Sequence, residues 1–578
     1  MSGGRLLSTA LRAVTAASAR EFRRALEDPE RAQAARLAAV LRQVAGSRQA
    51  ERTAGFARIR GAREFQDAVP LSGADDLARD VAEMARGVPA VLTTEPVLRF
   101  ERSGGSSGAS KLVPHTRALS AEFHAGLLPW LHDLAVARPA FCGGPGYWSI
   151  SPLAQRPEFT PGGIPIGSED DGAYLPRALR GLEKRLFAVP GAVARMPDVE
   201  SCRYVTLRLL LDCPRLALIS VWNPSYLTLL MNALDRDAER LLDDLAAGAC
   251  RPPEPRRPNA DGATRVQAIS AVLRHLDLPA RPALALELRA ALRREGRLEP
   301  RALWPGLALL SLWTDAQARR ALPEVEARFS GVEIQGKGLL ATEGVVTLPL
   351  LEAEAPVLAV RSHHFEFLDP EAPDSRPRLA HEVEIGRTYE IVLTTGAGIL
   401  RYRLGDLVRV EGFLRATPCL RFLGRADAVS DLVGEKLSAA RVGDVLAGVL
   451  GRLPAREAPR FAMLAPEWRR PPAYHLFIES EASDAGLERI ASGVEEELIQ
   501  GFAYRYARDL GQLGPVAVVR VRDGLKRYEA RCILLGQRAG NIKPVDLHLQ
   551  PGWTECLSCA GEAIGSIATG LVTGRNGR

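Results

Sequence analysis

Between Val332 and Arg425 the chain sets down one short apolar run after another, "GVVTLPL", "APVLAV", "HHFEFLDP", "TYEIVLTT", "ILRYRLGDLVRV" and "LRFLGR", with turn residues between them. Runs of this length, rich in β-branched and aromatic side chains and punctuated by Gly, Pro and Asp, predict strands, so this region is sheet-rich. The flanking regions read differently. Near the start, Asp28 and Pro29 form an N-cap followed by proline at the first helical position, and Leu37, Val40, Leu41 and Val44 recur with helical spacing until Gly46. After Arg425, "AYHLFIES" reads as a strand, Leu487, Ile490, Val494 and Leu498 as one face of an amphipathic helix, and "VAVVRV" as a second strand, which together predict a small α/β domain. The segment "RPPEPRRPNADG", from Arg251 to Gly262, is expected to be an irregular surface connection, because its prolines fix φ and lack amide donors.

A chain of 578 residues, 46% hydrophobic and 25% charged, has enough apolar material for a substantial core and for two or more domains. The net charge of +6 is small for this length and no long block of like charge occurs, so no nucleic-acid partner is expected. No apolar run approaches the roughly 18 residues that span a bilayer; "LRLLLDCP", beginning at Leu207, is soon interrupted, and no membrane partner is expected. The basic, Ser- and Ala-rich start, "MSGGRLLSTALRAVTAASAREFRRAL", has some likeness to an organelle transit peptide but reads better as an amphipathic helix. Eight cysteines lie scattered without a disulfide-framework spacing, which suits a reducing cytoplasm. Cys556 and Cys559 form a lone C-x-x-C that, with only His548 nearby, does not complete a structural zinc site.

The stretch "FERSGGSSGASKLVPHT", Phe100 to Thr116, follows a strand-like segment, "AVLTTEPVLRF". Glycines there let the backbone approach a ligand closely, amides and hydroxyls donate to phosphate oxygens, and Lys111 adds charge. The spacing fails both the Walker pattern and G-x-G-x-x-G. Gly104, Ser106 and Gly108 do satisfy G-x-S-x-G, the nucleophile elbow of serine hydrolases, although Pro114 would interrupt the helix that must follow. His363, His364, His381 and His548 are all conceivable triad bases. A phosphate loop, a hydrolase elbow and a plain turn therefore all remain open on these residues alone.

Four segments taken together carry a family resemblance. "SGGSSGASK" resembles the T-S-G-T-T-G-x-x-K loop of adenylate-forming enzymes, "LLATEG" their aromatic-Gly-x-Thr-Glu motif, "YRLGD" their Tyr-Arg-x-Gly-Asp motif, and "LGRADAVSDLVGEKLS" the segment joining their two domains. The flanking text, including "GFARIRGAREFQDAVPLSGADDLARDV", "KLVPHT", "SVWNPSYLTLL", "GKGLLATEGVVTLPL" and "HHFEFLDP", is most similar to the plant auxin-responsive Gretchen Hagen family and its bacterial relatives, the acyl-acid amido synthetases. The likeness runs from Phe22 to Leu549. It implies an α/β fold with a large N-terminal adenylate-forming domain, residues 1–424, whose β-sheets are flanked by helices. A smaller, mobile C-terminal α/β domain, residues 425–578, would follow a hinge near Arg425 and Asp427.

The same resemblance implies ATP and Mg²⁺ as cofactors, and a small carboxylic acid and an amino acid or other amine as partners; it names no oligomeric state. Ser103, Gly105, Ser106, Ser107, Gly108 and Lys111 would hold the β- and γ-phosphates. Thr342 would reach AMP, and Glu343 would bind Mg²⁺ as a hard oxygen ligand. Asp406 would accept both ribose hydroxyls, Arg425 would sit at the nucleotide and hinge, and Lys543, in "GQRAGNIKPVDL", would reach the acyl carboxylate and α-phosphate. Lys543, Lys111 and Glu343 are thus the expected catalytic groups, while Trp222, Pro224 and Tyr226 are guesses for an apolar acyl pocket. Three departures from the family pattern stand out: Gly104 where a hydroxyl is usual, Leu339 and Leu340 where an aromatic residue and a glycine are common, and Arg441 where a glutamate is frequent. The expected activity is ATP-dependent formation of an acyl-adenylate followed by acyl transfer to an amine. Transfer to coenzyme A or another thiol, a catalytically weak nucleotide-binding scaffold, and a serine hydrolase using Ser106 are the alternatives.

Overall fold

Pro29 and its cap do what their chemistry requires. Asp28 Oδ1 accepts the Arg31 amide at 2.9 Å, and the helix Pro29–Val44 runs until Gly46 takes a φ of 85°, a conformation glycine adopts without steric cost. In this computed structural model the described residues are 2–102, 111–150, 158–167, 186–254, 262–426, 429–535, 537 and 539–557. They divide into two compact units: Met1–Asp427 together with Gly536–Lys543, and Ala428–Leu535 together with Pro544–Arg578. The segment Gly536–Lys543 therefore groups with the larger unit, although in the sequence it lies within residues 425–578.

Within the larger unit the helix Ser2–Glu27 precedes Pro29–Val44 and buries Leu11, Phe22 and Leu26 in a core shared with Phe123 and Trp130 of the helix Arg117–Ala137. The first strands are β1 (Arg99–Arg102), β2 (Leu112–His115), β3 (Gly146–Trp148), β4 (Glu158–Phe159), β5 (Pro165–Ile166), β6 (Leu218–Ser220), β7 (Leu309–Leu312) and β8 (Glu333–Gly336). Strands β3, β6, β7 and β8 form a parallel sheet in that order, with Ser220 opposite Ser311 and Ser311 opposite Gln335. Their apolar runs are buried throughout β6 and β7, as expected where helices cover a parallel sheet. Helices Val199–Leu211, Pro224–Ala247 and Pro282–Glu295 share that core. Strands β2, β1, β5 and β4 make a second sheet. Its antiparallel β1 and β2 pair up to Arg102 opposite Leu112, so the Gly/Ser stretch joins two paired strands.

The sheet-rich region continues with β9 (Thr347–Leu348), β10 (Val357–Leu358), β11 (His364–Leu368), β12 (Arg378–Leu379), β13 (Thr388–Thr394), β14 (Tyr402–Leu414) and β15 (Thr417–Arg425). These form one seven-stranded sheet, ordered β12-β11-β13-β14-β15-β10-β9, with Phe365, Phe367, Tyr389, Ile391 and Val408 fully buried in its core. A buried ion pair ties this sheet to the helix Ala62–Ala68. Arg401 bonds Glu366 at 2.9 Å and the carbonyls of Gln66 and Val69 at 2.9 and 2.6 Å.

In the smaller unit, β16 (Val429–Ser430) pairs with β17 (Leu437–Ser438), and β18 (Phe461–Glu467) and β19 (Ala473–Glu479) run antiparallel. The last strand, β20 (Ala517–Arg520), lies parallel to β19. Helices Ala439–Leu450 and Asp484–Leu498 supply Val442, Leu446, Leu487, Ile490 and Val494 to its core. Both strands and the amphipathic helix read from the sequence are present. Arg441, the departure after Gly-Glu-Lys, lies in the first turn of Ala439–Leu450, where its amide donates to the Ser438 cap at 3.2 Å. Glu435 of the same motif is buried and accepts the amides of Leu432 and Val433 at 2.8 Å.

Candidate active site

The segment after β8 folds back on itself. Ala341 donates its amide to the Gly344 carbonyl at 2.9 Å, Gly344 returns a bond to Ala341 at 3.2 Å, and Leu340 bridges to Val345. The turn between them carries Thr342 and Glu343. Glu343 is 9% exposed, and burial pushes its carboxyl above the usual range. Its own backbone amide and the positive charges of Arg425 and Lys111 oppose that shift.

Two histidines brace this turn from opposite sides. His115, at the end of β2, donates its Nε2 proton to the Thr342 carbonyl at 3.2 Å, which leaves Nδ1 to accept from Arg99 Nη2 at 3.4 Å. Burial and then Arg99 push its pKa down to about 3, so the imidazole is neutral. On the other side His363 Nε2 accepts the Val345 amide at 3.0 Å, so Nδ1 holds the proton and donates to the buried Glu122 carboxylate at 2.9 Å. Glu122 also accepts the Gly396 amide at 2.9 Å and lies 3.4 Å from Arg36. Both ring nitrogens of His363 are thereby committed to structure, and it has no lone pair left for a hydrolase base.

Asp406 and Arg425 are cross-strand partners on β14 and β15, with Arg425 Nη1 3.4 Å from Asp406 Oδ1. Asp406 is 6% exposed. Lys543 belongs to the same unit, and its Nζ lies 5.2 Å from the centroid of the Trp313 ring, an indole that meets Phe422 edge-to-face at 5.4 Å. Desolvation lowers the Lys543 pKa; Asp406 acts against this and Arg425 reinforces it. The residue as a whole keeps exposed surface, so solvent screening tempers the shift. Lys111 stands just before β2, exposed, with Asp75 at 3.8 Å across solvent.

The structure thus brings Thr342, Glu343, Asp406, Arg425, Lys111 and Lys543 into one compact unit, with Arg425 acting electrostatically on both Glu343 and Lys543. Ser103, Gly104, Gly105, Ser106, Ser107, Gly108, Asp427 and Cys559 lie outside the described residues. Cys556, the other half of the C-x-x-C, accepts from Arg531 at 2.9 Å. Among the described residues no cluster of three or more His, Cys, Asp or Glu side chains is gathered for a metal, and no helix is long and apolar enough to cross a membrane.

The acyl-pocket guesses separate. Tyr226 is a core residue: its hydroxyl bonds that of Tyr147 at 2.9 Å and lies 3.1 Å from the Ile150 carbonyl, with the ring 4% exposed. Pro224 is buried at the first position of its helix, where a missing amide costs nothing. Trp222 alone is half-buried, just beyond the end of β6. Leu339, which departs from the aromatic pattern, packs in the seven-stranded core with Trp313. His115 and Trp313 have no part in the sequence reading, and His363 enters it only as a conceivable triad base, not as a partner of this turn. His115 lies inside the quoted "KLVPHT" and His363 inside "HHFEFLDP", but nothing local says that their partners are backbone groups of the Thr342 turn.

Magnesium would fit this donor set through Glu343, a desolvated carboxylate under the charges of Arg425 and Lys111. The ion commonly binds through one or two carboxylates plus substrate phosphates and waters, so a single protein carboxylate is sufficient.

The fold is that of an acyl acid amido synthetase. A solved structure of the AtGH3.15 acyl acid amido synthetase in complex with 2,4-DB superposes with a TM-score of 0.78 over 92% of this chain and 94% of that one, at 18% identity. Family models match as the GH3 family N-terminal domain over residues 18–334, the GH3 family central domain over 356–425 and the GH3 family C-terminal domain over 450–549. The chain belongs to the GH3 family. Among curated relatives, the probable indole-3-acetic acid-amido synthetase GH3.6 of Oryza sativa subsp. japonica is 29% identical over 295 residues, 46% of this chain and 59% of that protein. The indole-3-acetic acid-amido synthetase GH3.8 of Oryza sativa subsp. indica is 26% identical over 496 residues, 80% of this chain and 78% of that protein.

Proposed function

We propose that this protein uses ATP to activate a small carboxylic acid as its acyl-adenylate and then passes the acyl group to the amine of an amino acid. The observation that carries this reading is the convergence, on one unit, of a braced turn bearing Thr342 and Glu343 with the Asp406, Arg425 and Lys543 group. Family membership gives it independent support.

In the first half-reaction a carboxylate oxygen of the acid attacks the α-phosphorus and the bond to pyrophosphate breaks. Lys543 stabilises the oxygens on which charge gathers, and Lys111 neutralises the departing phosphates. Glu343 would hold Mg²⁺, which when bound would offset phosphate charge. Asp406, with two acceptor oxygens, orients the ribose. In the second half-reaction the amine nitrogen attacks the acyl carbon, the bond to AMP breaks, and the amine proton passes to solvent. The role of the two histidines is geometric, since they fix the Thr342 turn before substrate arrives, and a turn held in place lowers the entropic part of the barrier.

The test is acid-dependent pyrophosphate release from ATP across a panel of carboxylic acids, followed by product analysis with amino acids and with coenzyme A as acceptors. Release that depends on the acid, with amide as product, is expected. Glu343→Gln and Lys111→Ala should each lower it by about 10²-fold or more, the scale of removing a charge-stabilising group from a transition state. Undiminished turnover in both variants would sink the assignment, and thioester rather than amide would redirect the second half-reaction.

A further inference from the structure

The C-terminal ends of the parallel strands gather a group of side chains that the proposed half-reactions do not use. Trp148 closes β3, Ser220 closes β6, Ser311 lies in β7, and Lys337 follows β8 directly. The Lys337 residue is 9% exposed. Its ammonium donates to Ser220 Oγ at 2.7 Å and to Ser311 Oγ at 3.3 Å. It also lies 5.0 Å from the centroid of the Trp222 ring, 5.8 Å from that of Trp148 and 5.9 Å from that of Trp130. Trp130 is itself fixed by a 2.9 Å bond from its Nε1 to Gln335.

This arrangement has the features of a recognition site. An ammonium has no acceptor, so both serine oxygens accept from it and each hydroxyl proton can turn toward a further acceptor. The indole faces hold the cation in place by cation–π attraction. Trp148 and Trp222 are only half-buried, which leaves aromatic surface for a planar ligand. Open parallel sheets bind ligands beyond the carboxyl ends of their strands, where this group lies. At the neighbouring strand end, Trp313 donates its amide to the Trp222 carbonyl at 3.0 Å and carries Lys543 over its ring. Two ammonium groups thus stand over indoles from adjacent strand ends.

We propose that Lys337, Ser220 and Ser311 form an oxyanion subsite at the carboxyl ends of the parallel strands, which takes a second carboxylate of a planar diacid, remote from the carboxyl group that is activated beside Lys543. The inference rests on the ligase reading above and extends it to a substrate class. A carboxylate has two oxygens to receive one ammonium and two hydroxyl donors, and the tryptophan walls set the plane of the body that carries it.

The probes are three pairs: benzoate with terephthalate, benzoate with isophthalate, and 2-naphthoate with naphthalene-2,6-dicarboxylate. Each is titrated against the full chain by tryptophan fluorescence without ATP and assayed by pyrophosphate release. In at least one pair the diacid should bind about tenfold or more tightly than its partner, the scale of one charge-assisted hydrogen bond. Lys337→Met should abolish that preference, raising KM for the diacid with little change in kcat for monoacids, and Lys337→Arg should restore part of it. The double variant Ser220→Ala with Ser311→Ala carries the same test if Lys337→Met does not fold. Equal binding of both members of every pair by the wild type overturns the subsite, as does a preference unchanged in a folded variant. Diacid-selective fluorescence without any acid-dependent pyrophosphate release would overturn the ligase reading and keep the subsite.

Discussion

Lys543 carries its proton in a poorer solvent than bulk water, and that sets a pH limit on any chemistry that needs its charge. Desolvation lowers its pKa from the ordinary 10.5, so the ammonium is lost as pH rises through a value below that. The alkaline limb of acid-dependent pyrophosphate release should therefore fall earlier than an ordinary lysine would allow. Lys543→Arg, which stays charged, should move that limb upward even if the rate is reduced. Coincident alkaline limbs in the two pH profiles would remove Lys543 from the step. The motifs holding Thr342, Glu343, Asp406, Arg425 and Lys543 were visible as text, and the structure adds that they share one unit. The roles of His115 and His363 were not visible, because each acts on a backbone group in or beside the turn, and His115 reaches Thr342 across 227 residues of sequence. Tyr226, a guess for the acyl pocket, bonds Tyr147 in the core, and an aromatic residue near a strand end looks the same in sequence in either place.

The turn Ala341–Gly344 owes its shape to neighbours on both sides, and Gly344 is where they come closest. A methyl group there would approach His363 Nε2 to 2.5 Å, inside the space of the bond that holds the Val345 amide. Gly344→Ala should displace His363 and loosen the turn, lowering acid-dependent pyrophosphate release by about 10²-fold, the cost typical of misplacing reacting groups by roughly 1 Å. Thermal stability should fall far less than activity. A variant with wild-type turnover would show that the turn does not need its brace. The strands around this turn were legible as elements because apolar, β-branched runs between turn residues have few other uses. Their order in the sheet was not, since β9 and β10 pair at the far edge through contacts no local pattern encodes.

At the scale of the molecule, buried neutral histidines tie stability to acidity. Burial lowers His115 from 6.5 to about 3 and His548 from 6.5 to about 4. Between those values and about 6.5 the unfolded chain binds more protons than the folded one. The histidine contribution is thus complete above pH 6.5 and is lost as pH falls, by at most about 1.4 kcal/mol per pH unit for each proton. Melting temperature should decline from pH 7 toward pH 4.5, and less steeply in His548→Phe; parallel declines would separate His548 from the effect. The helical start, the sheet-rich middle and the α/β end were each visible in the sequence. The allegiance of Gly536–Lys543 was not, because a short irregular segment carries no periodicity to say which body it joins. That allegiance has a topological consequence. The chain passes from the larger body to the smaller after Asp427, returns at Gly536 and departs again after Lys543, so the two bodies share three covalent crossings. The residues flanking Lys543 are thus joined covalently to the smaller body on both sides, though Lys543 itself belongs to the larger.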